Sequence, residues 1–383
     1  MAPDVYEARD LSKLERSRKP WSRRRFISTA ASAAVVGTLA ARVKLVLAAE
    51  SGLRDLAAAK GLIYGCATSA DRLSADPAFA QLVAEQCGLL VPENALNWKY
   101  VEARSGEFDF HLGDALANFA KSHNMKFGGG TLVWHESLPQ WINSLPQQQA
   151  RQVMVNHVTQ VVSHYRGRAF SWAVVNEGLA FREAGTELKD TPFLRLVGPD
   201  YIEASFRAAA AADPGALLVY NDNHLEYDIP EDEYRRAALL KLLRELVTKE
   251  VPIGALGIQS HLRTGNVPFN GGKLKDFLSR VSDLGLKIVV SELDVAEKGS
   301  ETAIADRDLA IAKEIDRYLE VMLQEKSVVA VVTWGLTARY SWLAGYAPRS
   351  DGQQVRPLPY DSDLHPTRAW QALATAFQSA PAR

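Results

Sequence analysis

From Leu53 onward the chain repeats one unit, a short β-type apolar run followed by a longer amphipathic segment. Candidate strands fall at residues 62–67, 89–91, 126–133, 169–175, 216–220, 255–260, 287–291 and 328–333. Between them, residues 77–86, 114–123, 147–165, 200–211, 230–249, 273–284 and 306–324 carry apolar side chains three and four apart, the period of a helix with one buried face. Eight βα units in the 335 residues after Ala48 match a single (β/α)8 TIM barrel with moderate loop insertions. No Pro- or Ser-rich linker divides this body, so residues 49–383 are expected to form one domain without an appended binding module.

Polar and aromatic residues collect where these strands end: Glu93 and Asn94, His135, Asn176 and Glu177, Asn221 and Asp222, His261, Glu292, and Trp334. One acidic residue after a strand is ordinarily a helix cap, but a whole series of such strand ends marks the face where barrels of this kind build their active sites. Glu177 and Glu292 stand out. Each closes an apolar run, and they lie 115 residues apart, so barrel closure would bring both carboxylates to one rim. Two facing carboxylates are what hydrolysis of a glycosidic bond requires, one to protonate the leaving oxygen and one to meet positive charge at the sugar carbon.

The first 48 residues differ from the rest. Arg23-Arg24-Arg25 precedes a weakly apolar Ala, Ser, Thr and Val run over residues 28–41, and Arg42 and Lys44 follow it. That run is too short and too mild to span a bilayer. It has the form of a twin-arginine-type export signal, with cleavage expected near Ala48 and no stable membrane anchor afterwards. The location expected is periplasmic or extracellular. Beyond Ala48 there remain 34 basic and 41 acidic residues, a formal charge of −7, which argues against nucleic acid as a partner. Cys66 and Cys87 are the only cysteines; placed near opposite ends of neighbouring strands, they are expected to be buried thiols and not a disulfide. His123, His224 and His365 have no metal-ligand spacing, and the hydrolysis that a carboxylate pair suggests is expected to need neither a metal nor an organic cofactor.

Seven segments together resemble glycoside hydrolase family 10, the retaining endo-β-1,4-xylanases. They are Val91-Pro92-Glu93-Asn94, Trp134-His135 with Leu138-Pro139-Gln140-Trp141, Trp172 to Asn176-Glu177, Asn221-Asp222, Gln259-Ser260-His261, Ser291-Glu292-Leu293-Asp294, and Thr333-Trp334-Gly335 with Tyr340-Ser341-Trp342. They follow the family's order across almost the whole body. The resemblance implies Glu177 as general acid and base, Glu292 as the nucleophile of a covalent glycosyl-enzyme, and His261, Asp294 and Asn176 as its support. It implies Glu93, Asn94, Asn97, His135, Trp141, Gln259, Trp334 and Trp342 as substrate contacts. Xylan or a xylo-oligosaccharide is then the expected substrate, and a monomer the expected state. His261 lies two residues beyond Gln259, so strand alternation would point both the same way.

Departures from the family pattern cluster outside the glutamates. Asn97 stands where the family has lysine, Gly130 for histidine, Asn223 for tyrosine, and Ala173 and Ala338 for aspartate. Asparagine is shorter than lysine and neutral, so Asn97 cannot reproduce a charged contact in place. Two other activities remain open from the sequence: the same barrel acting on aryl or other plant β-glycosides, and a carbohydrate-binding barrel without catalysis.

Overall fold

The computed structural model describes residues 51–383 apart from Gly185, Gly299 and Glu301. Nine strands run through them: β1 Ile63–Thr68, β2 Leu89–Pro92, β3 Lys126–Val133, β4 Ser171–Asn176, β5 Leu217–Asp222, β6 Ala255–Ile258, β7 His261–Arg263, β8 Lys287–Ala296 and β9 Val328–Thr333. Pairing is parallel throughout. β1 through β6 lie side by side in chain order, β6 then pairs with β8, and β8 with β9, which returns to β1 and closes an eight-stranded barrel. Helices intervene between successive barrel strands, as the expected (β/α)8 architecture requires.

β7 is the strand that periodicity did not foresee. It continues β6 after an interruption at Gln259 and Ser260, and pairs with the outer part of β8 through His261 and Asp294. Ser260 takes φ +63°, a left-handed conformation rare for a residue with a side chain. Buried Glu226 accepts hydrogen bonds from Ser260 N at 2.9 Å and Leu225 N at 2.8 Å, which fixes the break from behind. The strand alternation is therefore interrupted between Gln259 and His261, yet both side chains reach the same rim, Gln259 at Glu177 and His261 at Glu292. β8 also outruns its expected end at Ser291, because β7 supplies the ladder for residues beyond it.

Irregular pairing concentrates near the rim. β8 advances from Val290 to Leu293 while β9 advances from Val331 to Thr333, and β4 advances from Ala173 to Val175 against Val219 to Tyr220 of β5. Each extra residue is a bulge, a device that re-aims the side chains following it. Glu292 lies inside the first, and Asn176 and Glu177 follow the second. Gly257 is required for another reason: a Cβ there would stand 2.2 Å from Asn221 Oδ1, so only glycine lets that amide lie across the barrel.

The barrel interior packs Val219, Ala255, Val289 and Ala330. A larger apolar layer fills the space between strands and helices. Helix Pro77–Gln86 shows how the ends are set: Asp76 accepts from Phe79 N at 3.1 Å, with proline in the first turn. Asp76 also pairs with Arg339 and accepts from Tyr340 Oη, tethering the segment after β9 that carries Trp342. Trp98 and Trp172 are buried core residues, the former stacked on His157 at 3.8 Å. Cys66 and Cys87 are buried and unbridged. Burial and then the Cys66 thiol push the Cys87 thiol well above its ordinary range. The expected export segment at residues 1–48 lies outside the described residues. Among those described, no helix is long and apolar enough to cross a membrane.

Candidate active site

Both glutamates sit at the C-terminal rim, held by the backbones of neighbouring strands. Glu177 N donates to Asn221 O at 2.9 Å, and Glu292 N donates to Gln259 O at 3.0 Å. Glu177 takes φ +54°, so the chain turns away from β4 at that residue. Three amides link the carboxylates. Gln259 Nε2 donates to Glu177 Oε1 at 3.0 Å and to Asn176 Oδ1 at 3.2 Å; Asn221 Nδ2 donates to Asn176 Oδ1 at 2.9 Å and to Glu292 Oε1 at 2.7 Å. Ser291 Oγ donates to Asn221 Oδ1 at 2.6 Å and so fixes which way that amide points. Asn176, Asn221 and Gln259 are buried, whereas each glutamate keeps about an eighth of its side chain exposed. Carboxylates that are largely enclosed but still open to one side are in a position to meet a ligand.

The two carboxylates differ in their surroundings. His261 Nε2 lies 3.3 Å from Glu292 Oε2, and its Nδ1 lies 2.8 Å from Asp294 Oδ1. Burial alone would pull the imidazole down. Asp294 and then Glu292 outweigh it, raising His261 well above its ordinary value and making it a cation with both ring nitrogens donating. Asp294 is itself buried, and its second oxygen accepts from Trp342 Nε1 at 2.7 Å. Glu292 thus receives one charged and one neutral hydrogen bond.

The remaining expected contacts divide. Glu93 pairs with Arg72, and burial raises its carboxyl despite that partner. Asn94 is exposed, and His135 and Trp334 are half-buried beyond β3 and β9. Trp342 lies 5.2 Å from the His261 ring and is stacked at 4.5 Å by Tyr346. Two residues expected at the substrate serve the scaffold instead. Asn97 is 3% exposed and its amide is engaged internally, accepting from Thr131 N at 3.0 Å and donating to Asn94 Oδ1 at 3.3 Å. Trp141 donates its indole N–H to Glu102 O at 3.2 Å and packs edge-on against Trp98, so its ring belongs to a core cluster. Gly130 and Ala173, both departures from the family, are partners in the β3 to β4 register, so two polar positions were lost side by side.

Some residues of the site were not visible as such in the sequence. Asn221 stands out only as a strand end and a motif residue with no role attached, and Ser291 only as part of a motif. Lys189 carries no motif or periodicity signal in the sequence. An antiparallel hairpin over residues 178–189, with Ala180 N on Glu187 O and Lys189 N on Gly178 O, folds it back beside Glu177. Its Nζ stands 3.7 Å from Glu177 Oε2 and 3.2 Å from His135 Nε2. Among the described residues no group of His, Cys, Asp or Glu could hold a metal ion.

Two glutamates on one amide network, one of them backed by an imidazolium, make a closed parallel barrel of this kind a glycoside hydrolase of the two-carboxylate type. Comparison with known sequences makes the class specific: the profile of glycosyl hydrolase family 10 matches residues 52–376, and the chain belongs to that family. Among curated relatives, endo-1,4-beta-xylanase 1 of Humicola insolens is 31% identical over 337 residues, covering 86% of this chain and 75% of its own. Endo-1,4-beta-xylanase 5 of Pyricularia oryzae is 32% identical over 342 residues, covering 86% and 80%. Among solved structures, xylanase 10B from Thermotoga petrophila in complex with xylobiose superposes with a TM-score of 0.77 at 28% identity, covering 85% of this chain and 97% of that one.

Proposed function

We propose that this protein is an endo-β-1,4-xylanase that cleaves internal bonds of xylan with retention at the anomeric carbon. In the first step a Glu292 oxygen bonds to the anomeric carbon as the glycosidic C–O bond breaks, and the leaving oxygen takes the proton of Glu177. In the second, Glu177 takes a proton from water, the water oxygen bonds to the same carbon, and the ester electron pair returns to Glu292. The observation that carries this division of labour is the asymmetry between the carboxylates: Glu292 alone receives the His261 and Asn221 donors. These donors hold the Glu292 oxygens in place for attack, and Glu177, which neither of them reaches, is assigned the proton transfers.

Asn176 is the support residue whose amide donates to Glu177 and is joined to Glu292 through Asn221, and it can meet the 2-hydroxyl of the reacting sugar. Glu93, Asn94 and His135 line the glycone side, and Trp334 and Trp342 provide the ring-stacking surface. The substrate assignment rests on the family and on the xylanase relatives. Export by the Arg23-Arg24-Arg25 signal and a monomeric state belong to the same reading.

A panel of xylan, mixed-linkage glucan and aryl glycosides, with products resolved over time and the first-formed anomer read by NMR, tests it. Xylo-oligosaccharides of mixed length released as β-anomers are expected. Turnover of aryl glycosides alone would refute the polysaccharide assignment, and α-anomers would refute retention.

A further inference from the structure

Lys189 is the cation in contact with Glu177 among the described ion pairs. It comes from the hairpin that directly follows β4, and that hairpin's ladder fixes its backbone to Gly178, one residue from the glutamate. Its side chain is 22% exposed, lies 5.6 Å from the Phe181 ring centre, and donates to His135 Nε2. A lysine that bridges a histidine and a carboxylate in a cleft is placed by three separate contacts, so its position is built into the site.

The other ionisable groups around Glu177 leave this role to Lys189. His135, beyond β3, is pushed down by burial and then by Lys189 itself, which favours the neutral ring whose Nε2 can accept the lysine's hydrogen bond; Glu136 lies 3.2 Å from that same nitrogen. Asp222, at the end of β5, is engaged by Arg235 and Tyr220 Oη. His224, in the following loop, is held down by burial and by Arg235. On β8 stands Glu292, whose own cation is His261. Gln259 and Asn176 add uncharged donors.

We propose that Lys189 is a positioning residue that sets when Glu177 gives up and takes back its proton, by stabilising the carboxylate form. This deepens the reading of Glu177 as acid and base and rests on it. A neighbouring positive charge favours ionisation, so it opposes the acid role and assists the base role.

The test compares wild type, Lys189→Met and Lys189→Arg on two substrates across pH. Xylotetraose, with a poor leaving group, needs the acid; 2,4-dinitrophenyl xylobioside does not, and its kcat reports the base-assisted second step. For Lys189→Met the alkaline limb of kcat/KM on xylotetraose moves up by about one pH unit. The acidic limb of kcat on the dinitrophenyl substrate moves up likewise, a loss of about tenfold on that flank. Lys189→Arg returns both limbs. Limbs that stay in place, or a uniform scaling of all rates without movement, overturn the proposal. A separate measurement guards the underlying reading: Glu177→Ala with azide and the dinitrophenyl substrate is expected to give a β-xylobiosyl azide. Failure there rejects Glu177 as the acid and base, whatever Lys189 does.

Discussion

Replacing Asp294 by asparagine removes one negative charge without removing volume, and its consequence can be followed atom by atom. Asp294 accepts from His261 Nδ1 at 2.8 Å and from Trp342 Nε1 at 2.7 Å. Asparagine can accept one of these but supplies no charge, so the balance that keeps His261 a cation is lost. With Nδ1 still protonated toward residue 294, the neutral ring turns a bare Nε2 lone pair toward Glu292. A donor at 3.3 Å becomes a repulsive contact. Hydrogen bonds to charged groups contribute about 1.5–3 kcal/mol, so kcat/KM should fall about 10- to 150-fold. The pH signature is more specific than the size. His261 in the variant returns toward an ordinary imidazole value of about 6.5, and activity recovers below it as the ring regains its charge.

Stability follows the same sign. A histidine raised by folding stabilises the native state fully below its unfolded value, and loses that contribution as pH rises through the folded one. The melting-temperature gap between wild type and Asp294→Asn should therefore be widest at or below about pH 6.5 and narrow above it. Kinetics with an aryl xylobioside over roughly pH 5–8, with the His261 ring followed by NMR, are the assay. Wild-type His261 titrating near the ordinary value, or a variant losing less than about threefold at neutral pH, would refute the reasoning.

Two further outcomes follow from the scaffold. Asn97→Lys, which restores the family's residue, should lower stability by about 1–3 kcal/mol and not improve catalysis, because Thr131 N loses its acceptor at a part-buried site; urea melts paired with kcat/KM check this. Cys66 and Cys87 should ignore a thiol reagent in the native protein and both react once it is unfolded; rapid native labelling would contradict their burial.

The eight barrel strands were legible because each is an apolar run covered by a helix, and the glutamates because they end two of those runs. What escaped notice depends on contacts between distant segments. The break at Ser260 is fixed by buried Glu226, thirty-four residues earlier in the chain, and no local pattern announces it. The reach of β8 to Ala296 depends on β7, a strand that exists only because of that break. Lys189 looks like any surface lysine until the hairpin returns it to Gly178. Asn97 and Trp141 failed in the opposite direction: a motif match gave them to the substrate, while their polar atoms are used inside the fold. Family position carries over reliably where the supporting contacts are also present, as for His261 with Asp294, and less so where they are replaced.

The central claim is that Glu292 forms the bond to sugar while Glu177 handles the proton. Incubation with an activated 2-deoxy-2-fluoro xylobioside, read by intact mass and peptide mapping, tests it most directly. One sugar equivalent attached to Glu292 is predicted, with none on the Glu292→Ala protein. A label on any other residue, or an active wild-type enzyme that never accumulates one, would contradict it.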